Sequence, residues 1–217
     1  WCIYSEAATG EWVKTNEFMT DEEYDKYFNI FDPDLYNPRE WAKIAKDAGI
    51  RYVIITSKHH DGFCLWDSDQ TGYNVTKTPY GKDLLKPFVE AFREEGLHVG
   101  FYYSGPDWHH PKYPIDLGSN PHPLRNNKDK AKLNKDRDLK EYVGYMQKQV
   151  TELLTGFGQI DLFWSDYGSD VTAGGDEDSL IKLIRGLQPQ ILINDRLFSP
   201  DLLSGFGWRW DYRSPEQ

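Results

Sequence analysis

Amphipathic helical stretches alternate with short apolar runs along this chain, and the pairing repeats four times. Pro38 to Ala48 (PREWAKIAKDA) has proline where a helix starts and Gly49 where the residue after a helix belongs. Trp41, Ile44, Ala45 and Ala48 are its apolar positions at helical spacing. The β-branched run Tyr52–Thr56 follows, bounded by polar residues. The same pairing predicts a helix over 82–95, stopped by Gly96 with Pro87 as a candidate kink, then a strand over 97–104. A helix over 136–154 precedes a strand over 159–166, and a helix over 177–187 precedes an apolar segment over 190–196.

Alternation of this kind gives an α/β fold, either an open doubly wound sheet or a (β/α)8 TIM-like barrel. The strand runs are almost continuously apolar, as parallel strands buried on both faces require. No glycine-rich phosphate fingerprint follows any of them, which counts against nucleotide binding. At 217 residues, against about 250 for a full barrel, the chain reads as one partial barrel domain. The first 37 residues read as irregular. Residues 105–137, rich in Pro, Asn, Lys and His, read either as a linker or as a long loop carrying part of a site.

Composition removes several function classes. With 25 basic and 35 acidic residues the formal charge is −10, which argues against nucleic-acid or anionic-membrane partners. No run of about 18 apolar residues could span a bilayer. Cys2 and Cys64 cannot build a disulfide framework or a cysteine-based zinc site. Aromatic residues make up 15%, including eight Trp and fourteen Tyr, which suits a protein that stacks something flat or sugar-like.

Polar groups gather where the predicted strands end. The first ends Lys58-His59-His60-Asp61, the second Tyr102-Tyr103-Ser104 and then Asp107-Trp108-His109-His110. The third ends Trp164-Ser165-Asp166-Tyr167 and the fourth Asn194-Asp195-Arg196. In a barrel that edge is the active face. Adjacent histidines on an extended chain point to opposite sides, and no HxH or HExxH spacing occurs, so no metal is expected. No GxSxG elbow marks a serine nucleophile. Carboxylate chemistry in an aromatic cleft remains: Asp166 beside Trp164 and Tyr167, with Glu11 or Glu216 as a second carboxylate, a pair sufficient for glycosidic-bond cleavage. Plainer roles compete. Asp166 suits a loop or a helix cap, Trp164 or Phe163 must be core, Arg196 has Asp195 and Asp211 as structural partners, and Trp108, His109 and His110 suit a loop or rim.

Six strings carry a resemblance to a known family: EWAKIAKDAGIRYVIITSKHHDGFCLWDS (Glu40–Ser68), NVTKTPYGKDLL (Asn74–Leu85), HVGFYYS (His98–Ser104), IDLFWSDYG (Ile160–Gly168), ILINDR (Ile191–Arg196) and DYRSPEQ (Asp211–Gln217). The chain resembles the α-L-fucosidases of glycoside hydrolase family 29 over nearly its whole length. The resemblance implies a retaining exo-glycosidase that removes terminal α-linked L-fucose from glycans or glycoconjugates without a cofactor. It implies Asp166 as nucleophile, His59 and His60 as the pair that bonds sugar hydroxyls, and Glu11 with Trp12 reaching the sugar from the first loop. Tyr103, Trp164 and Arg196 match pocket residues. Glu216 matches the acid/base of some members, expected about 5–5.5 Å from the nucleophile; in others that group stands elsewhere. Family members carry a His before the position of Trp1 and continue beyond Gln217, so the chain reads as a core segment of a larger enzyme. A non-catalytic glycan-binding protein on the same scaffold is the alternative. It would keep His59, His60 and Trp164 but has no use for a carboxylate under the anomeric carbon.

Overall fold

The computed structural model of the chain describes residues 3–7, 10–118, 120–168, 177–197 and 210–214. Four parallel strands form one sheet in sequential order: β1 (Tyr52–Lys58), β2 (His98–Ser104), β3 (Leu162–Asp166) and β4 (Leu192–Ile193). A helix precedes each of them: α3 (Pro38–Asp47), α4 (Leu85–Glu94), α6 (Leu139–Gly156) and α7 (Glu177–Leu187).

Unbroken sequential order with one handedness of crossover puts the connecting helices on one side of the sheet. Burial along the strands follows that rule. Val99, Phe101, Phe163 and Ile193 are fully buried in one core with Phe88 and Phe92 of α4, Val150 and Leu153 of α6, and Ile181 and Ile184 of α7. Each such side chain contributes about 1.5–3 kcal/mol when taken out of water. The alternate residues face the other way, where Tyr52 is 58% and Leu192 44% exposed and Ile54, Tyr102 and Trp164 are half-buried. The expected burial of strands on both faces is therefore corrected to one face among the described residues.

Local signals account for most element boundaries. The Asn37 side chain accepts from the Glu40 N–H and Pro38 fills the first turn of α3. Its buried stripe is Pro38, Ala42 and Ala45, whereas Trp41, Ile44 and Ala48 stand exposed. Small residues let α3 lie close on α4, which leaves the large apolar ones outward. Pro87 sits in the first turn of α4, where its missing N–H breaks no helical bond, so it marks a start and not a kink.

Two expectations change. The first 37 residues hold α1 (Val13–Asn16) and α2 (Asp21–Phe28). Thr20 caps α2: its side chain accepts from the Glu23 N–H while its own N–H donates to the Glu23 carboxylate, a device worth about 1 kcal/mol. Residues 105–137 are no linker. Trp108, Tyr113, Ile115 and His122 are buried, and the loop includes α5 (Lys130–Asn134). The Trp108 indole donates to Asn120 at 2.6 Å, and Arg137 donates to the carbonyls of Tyr113 at 2.5 Å and His110 at 3.2 Å.

A register slip sets up the site. Thr56 pairs with Tyr102, but Lys58 pairs with Tyr103, so Ser57 is an extra residue in β1. One inserted residue moves the next side chain to the opposite face. Lys58 accordingly lies fully buried, its Nζ 4.5 Å from the centre of the Tyr103 ring.

Candidate active site

The C-terminal strand ends surround a cavity of about 400 Å³. Thr56, His59 and His60 line it from β1 and the turn beyond, Tyr102 from β2, and Trp164, Asp166 and Tyr167 from β3. Arg196, in the 3-10 turn Asp195–Leu197 after β4, adds a cation. Tyr4, Glu11 and Trp12 close the cavity from the N-terminal segments, and Ser214 enters from a stretch that runs parallel to the end of β4 through an Asn194–Tyr212 bridge.

Adjacent histidines were expected to diverge, and the structure corrects this. The chain leaves β1 and turns at once, with the Gly62 N–H donating to the His59 carbonyl at 3.0 Å, so both rings line the cavity with centroids 4.1 Å apart. Gly62 has φ +83°, and a Cβ there would stand 2.3 Å from an Asp107 oxygen, so only glycine makes this turn. Both imidazoles are buried. Burial lowers the pKa of His59 to about 4, with the Asp166 charge opposing. Burial, reinforced by His59, Lys58 and Arg196, takes His60 well below the ordinary value. Both rings are therefore neutral near pH 7. Nδ1 of His59 is buried without a hydrogen-bond partner.

Asp166 sits at the end of β3, opposite Ser104 of β2. Arg196 donates twice to its Oδ1, from Nε at 2.9 Å and Nη2 at 2.5 Å, and the Tyr102 hydroxyl donates to Oδ2 at 2.5 Å. Burial and then the neighbouring Asp166 charge push the Tyr102 hydroxyl well above its ordinary range, which keeps it a donor. The carboxylate is thus gripped at both oxygens while facing an open cavity. Arg196 takes neither of its alternative partners: Asp211 pairs with Arg185 at 2.6 Å, and Asp195 receives the Ser214 N–H.

Tyr103 is a correction. It points to the helix side, 2% exposed, its hydroxyl bonded to Gln149 at 2.8 Å and its ring stacked near Phe163. Tyr102 takes the cavity position because its register partner is Trp164, and residues in register share a face. Phe163 is core and Trp164 is cavity wall, which resolves that alternation. Glu11 is exposed at the mouth and accepts from the Trp12 indole at 3.2 Å. The Trp12 ring meets His60 edge-on at 5.2 Å and Tyr167 at 6.5 Å. Glu216 lies outside the described residues. Tyr4, Ile54, Thr56 and Ser214 are lining residues that sequence reasoning missed, and Tyr102, named there only as one of the strand-end groups, takes the place given to Tyr103.

Trp108, His109 and His110 stand in the loop after β2 and do not line the cavity. Trp108 is buried 5.4 Å from His60, His109 stacks on Tyr73 at 3.9 Å and His110 packs on Tyr145. Their loop is pinned by Asp107, which accepts from Lys58 Nζ at 3.2 Å and from the N–H groups of His109 and His110. Burial works against the Asp107 charge, yet Lys58 and the two histidines hold its pKa below the ordinary value. Among the described residues, no group of three or more His, Cys, Asp or Glu could hold a metal ion, and no helix is long and apolar enough to cross a membrane.

Enzymes built on parallel α/β sheets place their sites at the C-terminal ends of the strands, where this chain gathers a carboxylate, two histidines and aromatic rings. A family model for α-L-fucosidase matches residues 1–217, and the chain belongs to that family. It is 33% identical over 174 residues to α-L-fucosidase 1 of Arabidopsis thaliana, covering 76% of this chain and 29% of that protein. The solved α-L-fucosidase isoenzyme 1 of Paenibacillus thiaminolyticus superposes with TM-score 0.84 at 48% identity, over 91% of this chain and 47% of its own. A Bacteroides thetaiotaomicron α-L-fucosidase, solved as a trapped covalent intermediate with 2-fluoro-fucosyl fluoride, superposes with TM-score 0.71 at 31% identity, over 87% of this chain and 41% of its own. The chain thus spans under half the length of each of these relatives.

Proposed function

We propose that this chain is part of a (β/α)8 catalytic barrel domain that hydrolyses terminal α-linked L-fucose with retention, through a covalent fucosyl–enzyme intermediate. The observation that carries the reading is Asp166, gripped by Arg196 and Tyr102 yet open to a cavity walled by Trp12, Trp164 and two neutral histidines. One oxygen of Asp166 attacks the anomeric carbon as its bond to the leaving oxygen breaks. A second carboxyl group, for which we propose Glu216, gives its proton to that oxygen. It then takes a proton from water, whose oxygen attacks the same carbon and releases Asp166. Ser214, lining the cavity two residues before Glu216, supports this assignment.

Arg196 and Tyr102 keep the nucleophile in one orientation, so no reorganisation is needed when charge shifts to the sugar. His59 and His60, which line the cavity, offer ring nitrogens to sugar hydroxyls. Trp164 and Trp12 supply apolar walls for the ring and methyl edge of a 6-deoxy sugar. Glu11 at the mouth receives a hydroxyl on the solvent side. The likeness to a fucosidase trapped with a fluoro-fucosyl donor supports the sugar assignment.

Release of nitrophenol from an aryl α-L-fucoside, beside β-galactoside and α-glucoside controls, tests the reading. Fucoside-selective turnover is expected, lost in Asp166→Ala with the fold retained. Fucose binding by a folded protein without turnover would instead indicate a glycan-binding protein.

A further inference from the structure

One hydroxyl group decides how the cavity histidine works. Ser104, fully buried at the end of β2, has its Oγ 2.6 Å from His60 Nδ1 and 2.7 Å from the carbonyl oxygen of Pro106. A carbonyl only accepts, so the single Ser104 proton goes to Pro106. The hydroxyl oxygen is then an acceptor towards His60, and the ring proton resides on Nδ1. We infer that Ser104 is a positioning residue that locks His60 as its Nδ1–H tautomer, leaving the Nε2 lone pair as a hydrogen-bond acceptor facing the cavity.

Two further observations agree. His60 Nε2 stands 3.7 Å from Asp166 Oδ2, outside hydrogen-bond reach, although a protonated Nε2 so near a carboxylate would be drawn into contact. The Pro106 acceptor is itself fixed. The Gly105 N–H donates to the Asp166 carbonyl at 2.8 Å, and a Cβ on Gly105 would lie 3.0 Å from the Tyr167 carbonyl oxygen, so the β2 turn is clamped to the strand that bears Asp166. Pro106, Ser104 and His60 form a one-way relay whose free end is a lone pair beside the carboxylate.

The consequence, which rests on the reading of the cavity as a sugar site, is that a substrate hydroxyl donates to His60. Asp166 Oδ2 then keeps Tyr102 as its donor and gains none from His60. Removing the Ser104 hydroxyl strands a buried N–H and favours transfer of the ring proton to Nε2, which then donates to Asp166. That change loses the acceptor and adds a hydrogen bond to the attacking carboxylate.

The test is the ¹⁵N spectrum of the histidine side chains, assigned by the signals lost in His60→Asn. In the wild-type protein, His60 Nδ1 should be pyrrole-type and Nε2 pyridine-type near pH 7. In Ser104→Ala the two should exchange or average, kcat/KM for the aryl α-L-fucoside should fall about tenfold, and Ser104→Thr should restore both. A wild-type His60 protonated on Nε2 overturns the inference even if Ser104→Ala does not fold. So does a folded Ser104→Ala whose tautomer or kcat/KM is unchanged. Absence of fucoside turnover with Nδ1–H intact counts against the proposed function alone and leaves the tautomer lock standing.

Discussion

Asp107 and Asp166 are both buried aspartates facing a cation, one in the loop that follows β2 and the other at the end of the neighbouring strand β3. Asp107 is sealed: Lys58 occupies one oxygen, two backbone N–H groups occupy the other, and nothing is left to offer. Asp166 is held as firmly, by Arg196 and Tyr102, but one side opens to the cavity. A saturated buried pair shapes a loop; a gripped carboxylate that still lines a cavity is placed to meet a ligand. The loop of Asp107 is tied to the cavity by the backbone N–H of Trp108, which donates to the His60 carbonyl at 2.8 Å.

Substitutions should separate the two aspartates. The largest effect is expected from Asp166→Ala, about ten-thousand-fold in turnover with a urea midpoint close to wild type; a large loss of stability with modest loss of turnover would reverse the roles. Lys58→Met should do the opposite and destabilise by about 3–5 kcal/mol, because it leaves the Asp107 charge buried and unpaired. Urea melts measure it, and a midpoint unchanged from wild type would mean that Asp107 is not anchored by Lys58. Tyr102→Phe should lower kcat/KM about 10–100-fold, the range for a hydrogen bond to a charged group, while Tyr103→Phe should affect stability and not turnover.

The smallest effect at neutral pH concerns His59. Its folded-state pKa, about 4, lies below the ordinary 6.5, so the unfolded chain takes up the proton first as pH falls. The stability that its neutral burial allows is fully present above about 6.5 and is lost as pH falls through 4. His59→Gln should flatten that slope by about one proton, read from urea melts between pH 4 and 7; an unchanged slope would mean the ring is not held neutral. Asp61 acts in the opposite sense, since burial raises its pKa to about 6 and stability falls as it ionises. The variant must therefore be compared with wild type pH by pH.

Much of this was legible in the residues. The four helix–strand pairs follow from apolar periodicity with Pro38 and Gly49 as punctuation, and the clustering of polar groups at strand ends located the cavity. What failed was parity. Tyr102 and Tyr103 are chemically identical, and only the register Tyr102–Trp164 says which one shares a face with Asp166. The Ser57 slip that buries Lys58 and the Gly62 turn that gathers both histidines depend on tertiary contacts that no local propensity encodes. The T-x-x-E cap of α2, by contrast, was readable and overlooked.

The most direct measurement is peptide mass mapping after incubation with 2-deoxy-2-fluoro-fucosyl fluoride, an activated donor whose glycosyl–enzyme intermediate breaks down slowly. One fluoro-fucosyl group on the peptide carrying Asp166, absent from Asp166→Ala, is the expected result. Label on another residue, or fucoside turnover that survives in Asp166→Ala, would contradict the assignment of Asp166 as the nucleophile.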